Sequence, residues 1–269
     1  MAACHLLARA PPDLEKETML RIENLCKSFG GVVATSNVSI DFPKESLSAV
    51  IGPNGAGKTT FFNLISGALP PDSGSIYLDG ENIVGLSGNA IVRKGIGRAF
   101  QVAKLFKSLT VEESLRGALL SPLGKSTQMT GRFPLPETRD RAYEVMDQLG
   151  LTPKAQVISG NLSHGDQKLL DMALALVLQP KVLLLDEPVA GMGPEEREQM
   201  IETVHALWKK GGLTVVLIEH DMDIVFRISQ HIHVLSYGKL LAQGNADEIR
   251  NNPAVIEAYL GTPREVQHA

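Results

Sequence analysis

Residues 52–59 have the order of a phosphate-binding loop. They read GPNGAGKT, which fits G-x-x-x-x-G-K-S/T, and they lie between an apolar strand and a predicted helix that begins at Lys58. Glycines let backbone N–H groups curl around phosphate oxygens, and the helix adds the positive end of its dipole. The competing interpretation is a glycine-rich turn without chemical use, and the strand–loop–helix context argues against it.

Separate roles toward a nucleotide are expected along this loop. Lys58 is expected to bridge the β- and γ-phosphates, Thr59 to ligate Mg²⁺, and Thr60 to place a second hydroxyl near the phosphates. The predicted phosphate contacts are Gly52, Pro53, Asn54, Gly55, Ala56, Gly57, Lys58, Thr59 and Thr60. On its own, this loop predicts a protein that binds and hydrolyses a nucleoside triphosphate.

Two carboxylates follow a second apolar strand far downstream. The segment VLLLDE ends in Asp186 and Glu187, and ligands of parallel α/β sheets bind beyond the carboxyl ends of the strands. Asp186 is predicted to hold Mg²⁺ through a water, and Glu187 to polarise the attacking water as a general base. The competing interpretation makes Glu187 a solvated residue at the entry to a helix.

These chemical residues sit in a chain that alternates strand and helix patterns, which predicts an α/β fold with a mostly parallel sheet. Strands are predicted at residues 19–25, 32–42, 47–51, 95–100, 182–186, 213–218, 231–236 and 239–242, with a hairpin arm at 73–79. Helices are predicted at 58–69, 89–94, 110–120, 137–149, 163–178, 194–210, 246–251 and 253–260, and a surface loop at 121–136. Thr110 is the expected N-cap of its helix.

Bulk composition excludes several classes of protein. With 269 residues, 43% of them hydrophobic, the chain suits one domain or a domain with a subdomain. A net charge of -4 gives the chain no overall electrostatic attraction to nucleic acid. No apolar run approaches the roughly 20 residues that span a bilayer. Cys4 and Cys26 are interpreted as reduced thiols of a cytosolic protein. His231 and His233 share a strand face but lack an evident third metal ligand, so we expect structural roles.

The motifs together resemble those of an ABC-type ATPase. GPNGAGKTT, then LSHGDQ, then LLLDEP occur in that family's order, and six such motifs span residues 20–261. The resemblance implies an ABC cassette: a P-loop NTPase core with a mostly parallel sheet, an antiparallel β subdomain, and a helical subdomain at about residues 102–175. We predict a disordered extension (or a start site placed too early) at 1–18, the ATPase domain at 19–261 and a tail at 262–269.

LSHGDQ matches the family's signature motif loosely. The resemblance implies that Ser163 and Gly165 contact the γ-phosphate bound by the opposite subunit, and a serine hydroxyl at a helix N-terminus suits an anion. His164 replaces the usual glycine and is interpreted as a tolerated subfamily variant. Asp166 replaces the usual glutamine, and we expect its carboxylate to point away from the phosphate.

Four further positions take implied roles. Gln101 corresponds to the glutamine that senses Mg²⁺ and the γ-phosphate, and His220 to the switch histidine that orients the water with Glu187. Phe29 stands where the family stacks an aromatic ring on adenine, with core packing as an open alternative. Gly193 ends the D-loop, residues 190–193, at a position where the family often has aspartate. Side-chain signalling there is therefore in question, and backbone contacts across the dimer remain.

Subfamily details are similar to the ATPase subunits of branched-chain amino-acid importers. These details are DEPVAGM, LSHG, RAFQ followed by LFKSLTV, and NNPAVIEAYLG, and urea-importer ATPases closely resemble the same group. The resemblance implies ATP with Mg²⁺, a second cassette, identical or paralogous, in a nucleotide-sandwich dimer, two permease subunits, and indirectly a periplasmic binding protein. It also implies a location at the cytoplasmic face of the plasma membrane.

Other functions remain as alternatives. Urea, amides or small aromatic acids could replace amino acids as cargo, because the cargo never touches this chain. A soluble, non-transport ABC ATPase would usually carry two cassettes or a long coiled-coil insertion, and this chain has one cassette with a short insertion. A cassette that binds ATP without hydrolysis is disfavoured because Lys58, Asp186, Glu187 and His220 are all present.

Overall fold

The computed structural model describes residues 18–99, 106–120 and 138–260, which are centred on a six-stranded sheet. Its strands are β3 (Leu47–Ile51), β6 (Ile96–Ala99), β7 (Val182–Asp186), β8 (Thr214–Ile218), β9 (His231–Ser236) and β10 (Lys239–Gly244). They lie in the order β10-β9-β3-β8-β7-β6, with parallel pairing from β9 to β6 and an antiparallel β10. Every residue of β3, β7 and β8 is buried, as expected for parallel strands covered on both faces.

A four-stranded antiparallel sheet packs on one side of this core. Its strands are β1 (Thr18–Phe29), β2 (Val32–Pro43), β4 (Ser73–Leu78) and β5 (Glu81–Asn82), in the order β2-β1-β4-β5. It shares an apolar core with β3, β7 and β8 and with the first helix, α1 (Lys58–Ile65). Phe42, Phe61 and Phe62 are completely buried in that core, which fixes α1 directly behind the phosphate loop.

Helices cover the other side of the central sheet. They are α3 (Val111–Ala118), α4 (Arg139–Gln148), α5 (His164–Leu176), α6 (Pro194–Lys209), α7 (Met222–Ile228), α8 (Ala246–Arg250) and α9 (Pro253–Leu260), with 3-10 turns at Thr152–Lys154 and Ser159–Asn161. The short helix α2 (Gly88–Lys94) instead packs through Ile91 in the core shared with the antiparallel sheet. Val111, Met146 and Leu170 from α3, α4 and α5 join a single apolar core with the central strands. The helical part is therefore packed onto the sheet that carries the site.

Local signals set the helix ends. Thr110 caps α3 as predicted: its Oγ1 accepts from Glu113 N at 3.2 Å, and Glu113 Oε2 accepts from Thr110 N at 2.9 Å. The helix predicted at 58–69 ends at Ile65, because Gly67 adopts a left-handed φ of 69°. The helix predicted at 137–149 is present as Arg139–Gln148.

Several predictions lie outside the described residues. These are the extension at 1–17, Phe100 and Gln101, the surface loop at 121–136, and the tail at 262–269. Strand β1 already includes Thr18, one residue before the predicted domain start. The limits of the helical subdomain, from about 102 to 175, stay a prediction.

Candidate nucleotide site

The carboxyl ends of three neighbouring parallel strands bring the predicted site residues together. β8 lies between β3 and β7, so the segments that follow these strands meet at one edge. β3 leads into the phosphate loop, β7 ends at Asp186, and β8 ends at Ile218, two residues before His220. Residues separated by more than 100 positions in sequence therefore converge at the place where such sheets bind ligands.

The phosphate loop is held against two other backbones. A Cβ on Gly52 would lie 2.1 Å from Leu235 O, and one on Gly57 would lie 2.2 Å from Ala34 O. Gly57 has a φ of 97° and ends the loop at the N-terminus of α1, where it makes no side-chain cap. The first amides of α1 are thereby available to an anion. Glycine is required at both positions by these close approaches.

Lys58 lies at the centre of this loop. Its Nζ donates to Gly52 O at 2.7 Å and to Pro53 O at 3.0 Å, and the side chain is buried. Burial lowers the pKa of Lys58, while the nearby charges of Glu187 and Asp186 oppose that shift. The ammonium group thus faces two carboxylates from the end of β7. Thr59 is exposed and Thr60 half-buried beside it.

Asp186 is held by an arginine from the neighbouring strand. Arg98 Nη2 lies 2.9 Å from Asp186 Oδ2, with side-chain exposures of 6% and 4%. Arg98 Nη1 also donates to Asn63 Oδ1 at 2.7 Å and to Ser66 Oγ at 3.0 Å. This network ties β6, β7 and α1 together and fixes the orientation of the Asp186 carboxylate.

Glu187 and His220 form a hydrogen-bonded pair. His220 Nε2 lies 2.6 Å from Glu187 Oε1, so the two residues predicted to handle the attacking water are in direct contact. Glu187 has a φ of 50°, a left-handed conformation that is uncommon for a residue with a side chain and that concentrates at functional sites. The Glu187 side chain is 18% exposed and that of His220 is 43% exposed, so the pair is partly open to solvent. The alternative that Glu187 is only a solvated helix-entry residue does not account for the contact.

Two buried ionisable residues that the sequence analysis did not single out contact this pair. Lys168 of α5 donates from Nζ to Glu187 O at 3.1 Å. Glu219 Oε1 accepts from Val189 N at 3.3 Å, and its Oε2 accepts from His220 N at 3.1 Å. Burial raises the pKa of Glu219, although both of these amide hydrogen bonds oppose the shift. Lys168 and Glu219 therefore position the backbone on either side of Glu187 and His220.

Comparison with known proteins agrees with this geometry. The family model described as ABC transporter matches residues 35–190, and one described as branched-chain amino acid ATP-binding cassette transporter matches residues 239–265. The chain belongs to the ABC transporter family. It has the cassette fold of that family and is its ATP-binding, ATP-hydrolysing type of subunit.

Individual relatives cover nearly the whole cassette. The high-affinity branched-chain amino acid transport ATP-binding protein LivG of Escherichia coli (strain K12) is 40% identical over 252 residues, which is 91% of this chain and 98% of LivG. The corresponding BraF of Pseudomonas aeruginosa is 40% identical over 250 residues, which is 90% of this chain and 98% of BraF.

Solved ABC cassettes have the same fold. A nucleotide-free ATP-binding cassette from an ABC transporter has a TM-score of 0.82 at 32% identity, covering 91% of this chain and 99% of that one. A dimeric cassette in a post-hydrolysis state, bound to ADP and Pi, has a TM-score of 0.72 at 25% identity, covering 85% and 99%.

The signature segment of this ABC cassette opens α5. Ser163 is the N-cap of the helix, and its Oγ accepts from Asp166 N at 3.2 Å. Asp166 does not turn away from this serine: its Oδ2 accepts from Ser163 Oγ at 2.7 Å. His164 Nε2 lies 3.3 Å from Ala190 O, which joins the signature to the D-loop of the same chain.

Phe29 and Gly193 are two further positions for which the sequence predicted contacts. Phe29 is 45% exposed and therefore does not pack in the core, and Lys27 Nζ lies over one face of its ring, 5.5 Å from the ring centroid. At the D-loop, Gly193 N donates to Glu196 Oε2 at 3.4 Å and starts α6. Because glycine has no side chain, Gly193 contacts its surroundings only through its backbone.

Tyr259 of α9 reaches the phosphate loop and was not predicted. Burial raises the pKa of Tyr259 to about 12, and the nearby backbone of Gly52 opposes that shift, although the residue as a whole is still 37% exposed. The sequence signal was only the ending NNPAVIEAYLG, which gave no hint of a spatial contact. Arg98 offered a clearer signal, a charged residue in an otherwise apolar strand pattern.

Over the part of the chain that the structure describes, the helices are too short or too polar to span a bilayer. The same residues contain no cluster of three or more histidine, cysteine, aspartate or glutamate side chains arranged for a metal ion.

His233 is packed edge-on against Phe42, with ring centroids 5.0 Å apart.

Proposed function

We propose that this cassette hydrolyses ATP with its own Lys58, Asp186, Glu187 and His220 to drive import of branched-chain amino acids through partner permeases. The contact between His220 Nε2 and Glu187 Oε1, beside the phosphate loop, carries the hydrolytic part of the proposal. The names of the relatives and the match at residues 239–265 are the basis for proposing branched-chain amino acids as the cargo.

ATP binding rests on the loop and on α1. The amides of residues 54–59 surround the phosphates, and Lys58 exchanges the carbonyl oxygens of Gly52 and Pro53 for β- and γ-phosphate oxygens. Phe29 offers its exposed face to adenine, a contact that any purine ring can make. Thr60 supports the phosphates from the first turn of α1.

Mg²⁺ fits the oxygen donors at this edge of the sheet. The Thr59 hydroxyl and the Asp186 carboxylate are hard ligands of the kind Mg²⁺ prefers, with Gln101 as the third predicted contact. Arg98 binds Asp186 Oδ2 and so holds the carboxylate in one orientation. When bound, the ion neutralises phosphate charge. Asp186, Thr59 and Gln101 would hold it between the loop and β7.

Hydrolysis needs an oriented water and a proton acceptor. Glu187 accepts the proton of the attacking water as it adds to the γ-phosphorus, and the bond to the β–γ bridging oxygen breaks. His220, paired with Glu187, hydrogen-bonds the γ-phosphate and keeps water and phosphate aligned. Lys58 stabilises the charge that develops on the leaving diphosphate.

The partner cassette completes each site. In the proposed dimer, Ser163 and Gly165 at the start of α5 would contact the nucleotide of a second subunit, and the dimeric assembly of a related cassette supports this arrangement. Permeases are expected to dock on the exposed apolar side chains of Phe106, Val157 and Ile158, and such docking would hold the chain at the cytoplasmic face of the membrane. A periplasmic binding protein acts only through the permeases, and nucleic acid has no role.

The substitution Glu187→Gln tests the hydrolytic assignment. We expect ATP to bind with unchanged affinity while phosphate release falls by about 100-fold or more, since a general base contributes on that order. Phosphate release and nucleotide binding are measured on the same preparation. Glu202→Gln, at an exposed position of α6, is the matched control and should hydrolyse ATP normally. Near-normal turnover in Glu187→Gln would remove Glu187 as the base.

A further inference from the structure

The signature serine is already engaged by its own chain. Ser163 Oγ donates to Asp166 Oδ2 at 2.7 Å and accepts from Asp166 N at 3.2 Å. A hydroxyl has one proton, so in this arrangement that proton belongs to the Asp166 carboxylate. A phosphate that takes a hydrogen bond from Ser163 must compete with Asp166 for it.

Lys154 balances the charge of Asp166 from a separate element. Its Nζ lies 2.5 Å from Asp166 Oδ1, and it comes from the 3-10 turn Thr152–Lys154 that precedes the signature. Burial disfavours ionisation of Asp166, but hydrogen bonds from Lys154 and Ser163 outweigh it and hold the pKa of this carboxyl below its ordinary value. At neutral pH the carboxylate is therefore charged, with both oxygens bound within the chain.

These contacts matter because of where the signature is expected to act. The inference rests on the proposed composite site, in which Ser163 meets the γ-phosphate held by the partner subunit. A carboxylate one hydrogen bond away from that serine repels the phosphate, and a lysine bound to the carboxylate reduces the repulsion. The Asp166 side chain is only 15% exposed, so solvent screens this effect incompletely.

We propose that Asp166 and Lys154 are positioning residues that set how tightly the signature of this cassette engages the partner's nucleotide. Asp166 competes for the Ser163 proton and weakens the engagement. Lys154 holds Asp166 and offsets its charge. The pair thereby limits ATP-driven closure of the dimer without touching the phosphate loop of its own chain.

The experiment is a double-mutant cycle on ATP-driven dimerisation. The Glu187→Gln chain is the parent, so that bound ATP is not consumed, and dimer formation is followed by sedimentation velocity against ATP concentration. Asp166→Gln should strengthen dimerisation by about tenfold. In the parent chain, which keeps Asp166, Lys154→Met should weaken dimerisation by about fivefold, as expected for a partly buried charge pair. In the Asp166→Gln background, Lys154→Met should change dimerisation by less than about twofold.

Controls separate this effect from folding and from ATP binding. Lys209→Met, at the exposed end of α6, removes an equal charge and should leave dimerisation unchanged. Asp166→Asn keeps the side-chain shape and should act in the same direction as Asp166→Gln. Each variant should bind ATP as a monomer with parental affinity, because the phosphate loop is untouched, and high salt should shrink the Lys154 effect.

Two results would overturn the inference alone. One is parental dimerisation in both Asp166→Gln and Asp166→Asn. The other is a Lys154→Met effect of equal size with and without the Asp166 carboxylate. A parent chain that binds ATP yet forms no ATP-dependent dimer would instead contradict the composite site itself, and the inference would fall with it.

Discussion

At the scale of single residues, the site depends on charges buried beside opposite partners. Asp186 is 4% exposed and pairs with Arg98, because removal of a carboxylate from water is costly unless it is paired and hydrogen-bonded. Glu219 shows the opposite case: burial raises its pKa, and its carboxylate oxygens accept hydrogen bonds from the amides of Val189 and His220. These side chains prepare the site before any nucleotide binds.

His233 gives a prediction on acid stability. Burial and the charge of His231 lower the pKa of His233 from 6.5 to about 4. Unfolding therefore takes up a proton between these two values, so the contribution of neutral His233 is fully present above pH 6.5 and is lost as the pH falls through about 4. We expect His233→Gln to reduce the loss of unfolding free energy over this range by up to about 3 kcal/mol.

Urea unfolding at neutral pH and at about pH 4 measures this difference. His231→Gln, at the exposed start of β9, is the control and should change the pH-dependent loss much less, because its charge is the second cause of the shift. An unchanged pH dependence in His233→Gln would show that this imidazole does not carry the effect.

At the scale of elements, the C-terminal helix α9 is fixed to the phosphate loop. Val255 anchors α9 in the main core at 4% exposure, and the Tyr259 hydroxyl lies close to the Gly52 backbone. Gly52 in turn accepts a hydrogen bond from Lys58 through its carbonyl. The region matched by the second family model, residues 239–265, thus contacts the nucleotide loop directly.

Tyr259→Phe removes only the hydroxyl of this contact. We expect the unfolding free energy to fall by about 1 kcal/mol, the net value of a typical hydrogen bond, and amide exchange to quicken in α9 and at Gly52. Hydrogen-exchange mass spectrometry and urea unfolding provide the two measurements. Tyr237→Phe is the control, since Tyr237 is 88% exposed. Equal exchange in Tyr259→Phe and the unsubstituted chain would show that the contact does not restrain the loop.

At the scale of the whole molecule, one apolar surface lies beside the helical part. Phe106 is 64% exposed and Ile158 is 43% exposed, and their segments are joined because Gly160 N donates to Lys107 O and Ser159 N to Leu109 O. Exposed apolar clusters rimmed by polar residues mark interaction sites. This surface is therefore the expected contact with the permeases.

Phe106→Asp combined with Ile158→Asp tests that contact. We expect the affinity-tagged chain purified from membranes to lose its hydrophobic permease partners by about tenfold or more, because a charge in an apolar interface must be desolvated. Val84→Asp, at another exposed apolar position, is the control and should retain them. Recovery of ribosomes or DNA in place of permeases would contradict the transporter role, and uptake of labelled leucine or urea by the intact system would decide the cargo.

Several features of the fold and site could be predicted from the sequence. The phosphate loop, the acidic end of β7 and the position of His220 after β8 follow from short motifs next to apolar strands, and Thr110 follows from capping chemistry. Such signals extend over a few residues, so they can be recognised in the sequence without knowledge of the fold. The length of α1 was missed because Gly67 stops the helix earlier than the apolar pattern suggests.

By itself, the sequence determined which groups could do chemistry and the alternation of strands and helices that carries them. Only the tertiary structure decided which groups meet. Arg98 and Asp186 are 88 residues apart and pair because β6 lies beside β7, and the pairing of Lys154 with Asp166 depends on how a turn packs against α5. Strand order and helix packing arise from contacts between distant segments, and no local pattern encodes them.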